Sequence, residues 1–216
     1  ESAERLGIAR ARLLRTAQFD PERLEAKEGR VSPQEYSRLR ELTLDLSADP
    51  ALGLHEGEAM TGISFDVVAP LLAHAASLRH GLETLFRIHK LLGDRLRYEL
   101  SENEHAATPR YASIAGISAR VRRFMAELEL TACRRMIHYY CAGARLQQVC
   151  FEHAAPTYRH EYTRVFQGAE CFEQPFTGIV FDRALLDTPL PFRDEELYRA
   201  LRAQAEYRVS QLTQRA

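Results

Sequence analysis

Apolar residues in the first half of the chain recur at helical spacing. Leu6, Ala9, Leu13 and Ala17 form one stripe, which predicts a helix over about residues 3–18. Asp20-Pro21, Ser32-Pro33 and Asp49-Pro50 each set a capping side chain before a proline at the first helical position. Glu35 completes a capping box with Ser32, and the helix that follows should bury Tyr36, Leu39, Thr43 and Leu46. A shorter helix is expected through Leu52 and Leu54, then two more over about residues 65–76 and 78–92, with Ser77 as the cap between them. In the second of these, Leu78, Leu82, Leu85, His89 and Leu92 share a face, and Gly93-Asp94 ends it because glycine tolerates a left-handed terminus.

From Arg95 the period changes to two. Leu96, Tyr98 and Leu100 alternate with Arg95, Arg97 and Glu99, the pattern of a half-buried strand, and a polar turn leads to a second strand near residues 110–114. Val121, Met125, Leu128, Ala132, Met136 and Tyr139 then define a long helix that Gly143 should end. Apolar runs near residues 146–152 and 178–182 are expected to join the hairpin in one sheet. Asp194 should cap a terminal helix carrying Leu197, Leu201, Ala205 and Leu212, with no stop before the last residue. The predicted class is α+β: a helix-dominated domain with a small, mainly antiparallel sheet.

At 216 residues the chain suffices for one sizeable domain. A net charge of −1 argues against the basic field with which a stand-alone nucleic-acid binder neutralises phosphates. Four widely spaced cysteines (Cys133, Cys141, Cys150 and Cys171), no signal peptide and no long apolar run point to a cytoplasmic protein with no membrane contact. The first residue is Glu1, already inside helical pattern, as expected of a trimmed chain.

The stretch 149–191 holds a short strand, a break at His153-Ala154-Ala155-Pro156, a helix with Tyr158, Tyr162, Val165 and Phe166, a second apolar run and an exit bounded by Pro189 and Pro191. It contains no catalytic constellation. Its VCFEHAAPTYRHEYTRVF and FDRALLDTPLPF, together with DPALGLHEGE (49–58) and ASLRHGLETLFRIHKLLGD (76–94), resemble the N-terminal effector domain of AraC/XylS-type transcription regulators of the arabinose-binding type. The resemblance covers almost the whole chain.

It implies a domain that senses a small molecule and associates with itself as a homodimer. DNA would be bound only by a C-terminal pair of helix-turn-helix motifs lying beyond Ala216. On that basis residues 1–193 are expected to form the regulatory domain and residues 194–216 a linker helix. The alternative expectation is a dimerisation or protein-interaction module indifferent to ligand. The resemblance names no ligand and carries no ligand-contacting residues with it.

Candidate ligand residues therefore come from the residues themselves. His74, Arg79, Arg87 and His89 cluster imidazole and guanidinium groups around the apolar stripe of one helical pair, and arginine grips carboxylates through paired hydrogen bonds. Tyr98 offers a large apolar body with one polar tip. The expected ligand position lies between the sheet and the helix carrying His89. The plainer accounts are a satisfied core histidine at His89, a solvated arginine face, and core packing at Tyr98.

Cys133, His138, Cys141, Cys150, His153 and His160 match no metal-ligand spacing, so neither a metal nor any other cofactor is expected. Without a GxSxG elbow, a glycine-rich phosphate loop or a placed acidic pair, no reaction is expected either.

Overall fold

The computed structural model describes residues 10–17, 31–60, 67–93, 96–113, 115–141 and 143–214. Eight α-helices lie among them: α1 (Arg10–Ala17), α2 (Pro33–Leu46), α3 (Leu52–Ala59), α4 (Val68–Ala73), α5 (Leu78–Ile88), α6 (Ala119–Tyr140), α7 (Arg159–Phe166) and α8 (Glu195–Gln214). The strands are β1 (Leu96–Glu102), β2 (Ala106–Ser113), β3 (Leu146–Cys150), β4 (Glu170–Cys171) and β5 (Thr177–Asp182). They form one sheet in the order β1-β2-β5-β3-β4, antiparallel except for the β3/β4 pair. The expected α+β architecture is therefore what the chain adopts.

Local chemistry explains most element starts. Ser32 caps α2 in a full capping box with Glu35, Ser77 accepts the His80 N–H at the start of α5, and Ser118 accepts the Val121 N–H at the start of α6. The Asp49-Pro50 start behaves differently. α3 begins only at Leu52 with Ala51 at its cap, while Asp49 accepts the Ala51 N–H and holds the ring of His55 at 2.6 Å. The predicted start at Asp20-Pro21 lies outside the described residues.

On two helices the predicted face holds but one of its positions gives way to the next residue. α1 buries Leu14 and Ala17, with Leu13 half-buried, and α8 buries Tyr198 and Ala205 while Leu197 is exposed. On α8 the inward line is Tyr198, Leu201, Ala205 and Val209, because α8 packs on α4 and α5. The Tyr198 hydroxyl meets Thr84 Oγ1 at 2.5 Å inside that contact. The helix predicted through Leu92 stops at Ile88 and continues as a single 3-10 turn, His89–Leu91.

One face of the sheet and the helices around it form the main core, with Val149, Phe151, Ile179 and Phe181 fully buried. Phe151 also anchors an aromatic cluster with Tyr162, Phe166 and Phe172 at centroid distances of 5.0–5.7 Å. α3 crosses α6 closely at Gly53 and Gly57, where a Cβ would come within 2.7 Å of the Phe124 and Leu128 carbonyl oxygens. Beneath that crossing Glu127, 2 % exposed, accepts the hydroxyls of Tyr158 at 2.7 Å and Tyr162 at 2.5 Å. Burial pushes the Glu127 carboxyl above its ordinary value, and the two phenol hydrogen bonds oppose that shift.

Candidate functional site

The gap between α4, α5, α6 and the sheet is a cavity of about 880 Å³. α5 turns Leu82, Leu85 and Phe86 into it, α4 contributes Val68 and Leu72, and the β1/β2 hairpin supplies Tyr98, Pro109 and Tyr111. α6 closes the far side with Glu129, Cys133, Met136 and Tyr140. The exposed liners Pro70, Arg135, His138 and Tyr139 mark the mouth. Strand pairing sets two of these walls: Tyr98 lies opposite Tyr111 in the β1/β2 register, so both rings leave the same face of the hairpin at 6.0 Å.

The wall is apolar, and its titratable groups are held neutral where they are deepest. Burial pushes the Tyr111 phenol well up, helped by Cys133, Glu129 and Tyr98, and pushes the Cys133 thiol up to about 12 with Glu129 adding to the shift. The Tyr111 hydroxyl, in a residue only 8 % exposed, has no hydrogen-bond partner among the described residues. At the mouth Arg135 donates to the Met60 carbonyl oxygen at 3.2 Å and His138 Nδ1 lies 3.0 Å from the Arg134 carbonyl oxygen.

Of the five residues expected to contact a ligand, Tyr98 lines the cavity. His89 stands behind it, its ring 5.7 Å from the Tyr98 ring and its Nδ1 2.6 Å from the Phe86 carbonyl oxygen. His74 sits at the end of α4 with Nδ1 2.6 Å from the Phe192 carbonyl oxygen. Arg79 bridges Glu102 and Asp187 at 2.5 and 2.8 Å, and those hydrogen bonds hold its pKa above the ordinary value. Arg87 is exposed and its Nε reaches back 3.4 Å to the Glu83 carbonyl oxygen in its own helix. The structure thus brings Tyr98 and His89 together and sends the two arginines elsewhere.

The α6 liners Cys133 and Tyr140, together with Tyr111, are the residues that sequence reasoning passed over. Their signal was faint: α6 carries apolar side chains on two opposite sides, the mark of a helix between two layers rather than one covering a surface. Among the described residues no three His, Cys, Asp or Glu side chains converge to hold a metal ion, and no helix is long and apolar enough to cross a membrane.

Residues 7–190 match the family model described as the arabinose-binding domain of AraC transcription regulator, N-term, and the chain belongs to that family of regulatory effector domains. Among proteins of known role it is 25% identical over 190 residues to the ornithine utilization regulator of Pseudomonas aeruginosa, an alignment covering 85% of this chain and 54% of that protein. The chain spans about half the length of this curated relative. It also superposes on the crystal structure of the transcriptional regulator CdpR from Pseudomonas aeruginosa with a TM-score of 0.66 at 15% identity, over 88% of this chain and 59% of that one. That is a likeness of fold.

Proposed function

We propose that this domain senses a small molecule in the α4/α5/α6 cavity and controls, through α8, how a DNA-binding segment and a second copy of the chain are presented. It works by population shift and catalyses no reaction: a ligand favouring one arrangement of the cavity walls biases the helix attached to them. The observation that carries this reading is the position of the cavity against the root of α8. Tyr139 at the mouth stacks on Phe192 at 5.9 Å, and His74 binds the Phe192 carbonyl oxygen two residues before Asp194 caps α8. Helix α8 then packs back on α4 and α5, two of the walls.

The test is thermal denaturation of the chain against a panel of small metabolites and apolar acids, amines and alcohols, followed by hydrogen exchange of α8 with any hit. A ligand that binds only the folded state raises Tm, and on this reading it also changes exchange at residues 192–198. No hit across the panel, or hits that leave α8 exchange unchanged, would sink the sensor reading.

A second reading, a self-association module indifferent to ligand, draws on Leu197 and Tyr207, which are 42% and 65% exposed on the outer face of α8. Apolar side chains left outside on a helix are candidates for cover by a second copy. Mass in solution across a concentration series decides it. A dimer whose affinity is unaffected by every hit of the thermal panel favours this module, and a strict monomer at high concentration removes it.

A further inference from the structure

We infer that the cavity takes a hydrophobic carboxylate, with its apolar body between α5, α6 and the hairpin and its carboxylate on the guanidinium of Arg134. The inference rests on the sensor reading above and adds the chemical class of the ligand. A pentose or other polyhydroxy compound would bring several hydroxyls into a wall of Leu82, Leu85, Phe86 and Met136. Each hydroxyl left without a partner there weakens binding by its desolvation. Among the described residues lining the deep part of the cavity, the Tyr111 phenol is a buried polar group left without a partner, enough for one hydrogen bond.

The charge at the mouth decides between an acid and an amine. Arg134 lines the cavity and makes no side-chain hydrogen bond or ion pair to a described residue. The acid nearest to it in electrostatic effect, Glu58, is already held through both oxygens by Arg164 at 2.9 and 2.6 Å. Arg135 stands next to Arg134 as a second positive charge, and partial burial together with that repulsion lowers the Arg134 pKa despite the pull of Glu58. A carboxylate arriving there relieves both penalties, and a guanidinium offers it paired N–H donors. An ammonium group would add a third positive charge. Glu129, the acid among the cavity liners, is already engaged in an interaction of its own.

The experiment is titration calorimetry of the 216-residue chain with decanoate, decanol, decylamine and L-arabinose, all below their aggregation limits. Decanoate should bind at least about 10-fold more tightly than the other three, the scale of one charge-assisted pair. Arg134→Gln should bring decanoate within about 3-fold of decanol and leave decanol unchanged, while Arg134→Lys keeps part of the preference. Tightest binding of decanol, decylamine or arabinose overturns the carboxylate assignment and leaves the sensor reading standing. So does an Arg134→Gln variant that still folds and retains the full decanoate preference. If none of the four binds, the assignment falls, and the thermal panel separately decides whether the sensor reading falls with it.

Discussion

The Nδ1–H of His74 donates to the carbonyl oxygen of Phe192 across 2.6 Å, and the carbonyl of His74 in turn accepts the backbone N–H of Asp194 at 3.2 Å. One residue at the end of α4 therefore holds both sides of the turn that launches α8. Asp194 completes the turn by capping the Leu197 N–H at 3.0 Å. On the proposed sensor reading, this short chain of bonds is the route by which a movement of α4 would reach the root of α8.

His74→Ala removes one of those bonds without touching the buried core. Amides of residues 194–198 should exchange with solvent about 5-fold faster in this variant, the equivalent of roughly 1 kcal/mol for one hydrogen bond, while β5 amides keep their wild-type rates. Uniform acceleration across the protein would instead mean a global loss of stability and no local latch.

The helix glycines offer a prediction of opposite signs. A helical Gly→Ala change whose new Cβ meets no clash stabilises by about 0.5–1 kcal/mol through backbone entropy. Gly81 should show that gain, since a Cβ there meets nothing nearer than 3.7 Å. Gly53→Ala and Gly57→Ala should lose about 1–3 kcal/mol, because the new Cβ lies 2.5 Å from Glu127 Oε2 at the first and 2.6 Å from Thr131 Cβ at the second. Urea unfolding midpoints at constant slope read both effects.

Glu127→Ala should be among the most damaging single changes. It takes away the acceptor shared by two buried phenol hydroxyls, leaving Tyr162 a long 3.4 Å contact to His153 Nε2, and opens a cavity, for a combined loss of about 3–5 kcal/mol. Glu127→Gln, which keeps an acceptor oxygen, should lose less than half of that. Equal losses in the two variants would show that the volume of the side chain matters and its hydrogen bonds do not.

His55 gives the chain a pH dependence whose sign is fixed. Although burial lowers its pKa, hydrogen bonds to Asp49 and Glu161 raise it above 6.5 overall. The stabilisation from charged His55 is therefore fully present below about pH 6.5, the ordinary imidazole value, and is lost as pH rises through the higher folded-state value. Glu161 and Glu58, both lowered by hydrogen bonds to Arg164, add a contribution that is present above 4.5 and lost as pH falls through their depressed values. The Tm difference between wild type and His55→Gln should shrink between pH 6 and pH 8; a constant gap would show that the ring acts by packing alone.

Cys133 faces the cavity as a neutral thiol, its pKa pushed up to about 12. Its thiolate population at pH 8 is far below that of free cysteine, whose pKa is about 8.5, so iodoacetamide should modify it at least about 10-fold more slowly. Peptide mass analysis of a time course measures this, and rapid alkylation at Cys133 would contradict the half-buried, acid-flanked environment.

The sequence alone was enough to place the caps at Ser32 and Ser77, the β1/β2 alternation and the order of helices. Each depends on neighbours within a few residues, which the chain itself supplies. The family was legible for a related reason: the stretch 149–191 gathers the strand, turn and aromatic helix that become the Phe151 cluster. Tyr98 could be picked out because a strand period is visible locally.

What the tertiary structure alone decided was which side of an element faces what. On α8 the predicted stripe and the inward line share Leu201 and Ala205 but part at the first turn, where Tyr198 is buried and Leu197 exposed, and only packing on α4 and α5 chooses between those two neighbours. Arg79 resembled a ligand grip until the fold set Glu102 and Asp187 beside it, 23 and 108 residues along the chain. Tyr111 and Arg134 became candidates only when non-local packing left, among the described residues, one hydroxyl and one guanidinium without a hydrogen-bond partner at the same cavity. Local pattern fixes backbone conformation, whereas an unspent polar group is defined by contacts that the whole chain must first make.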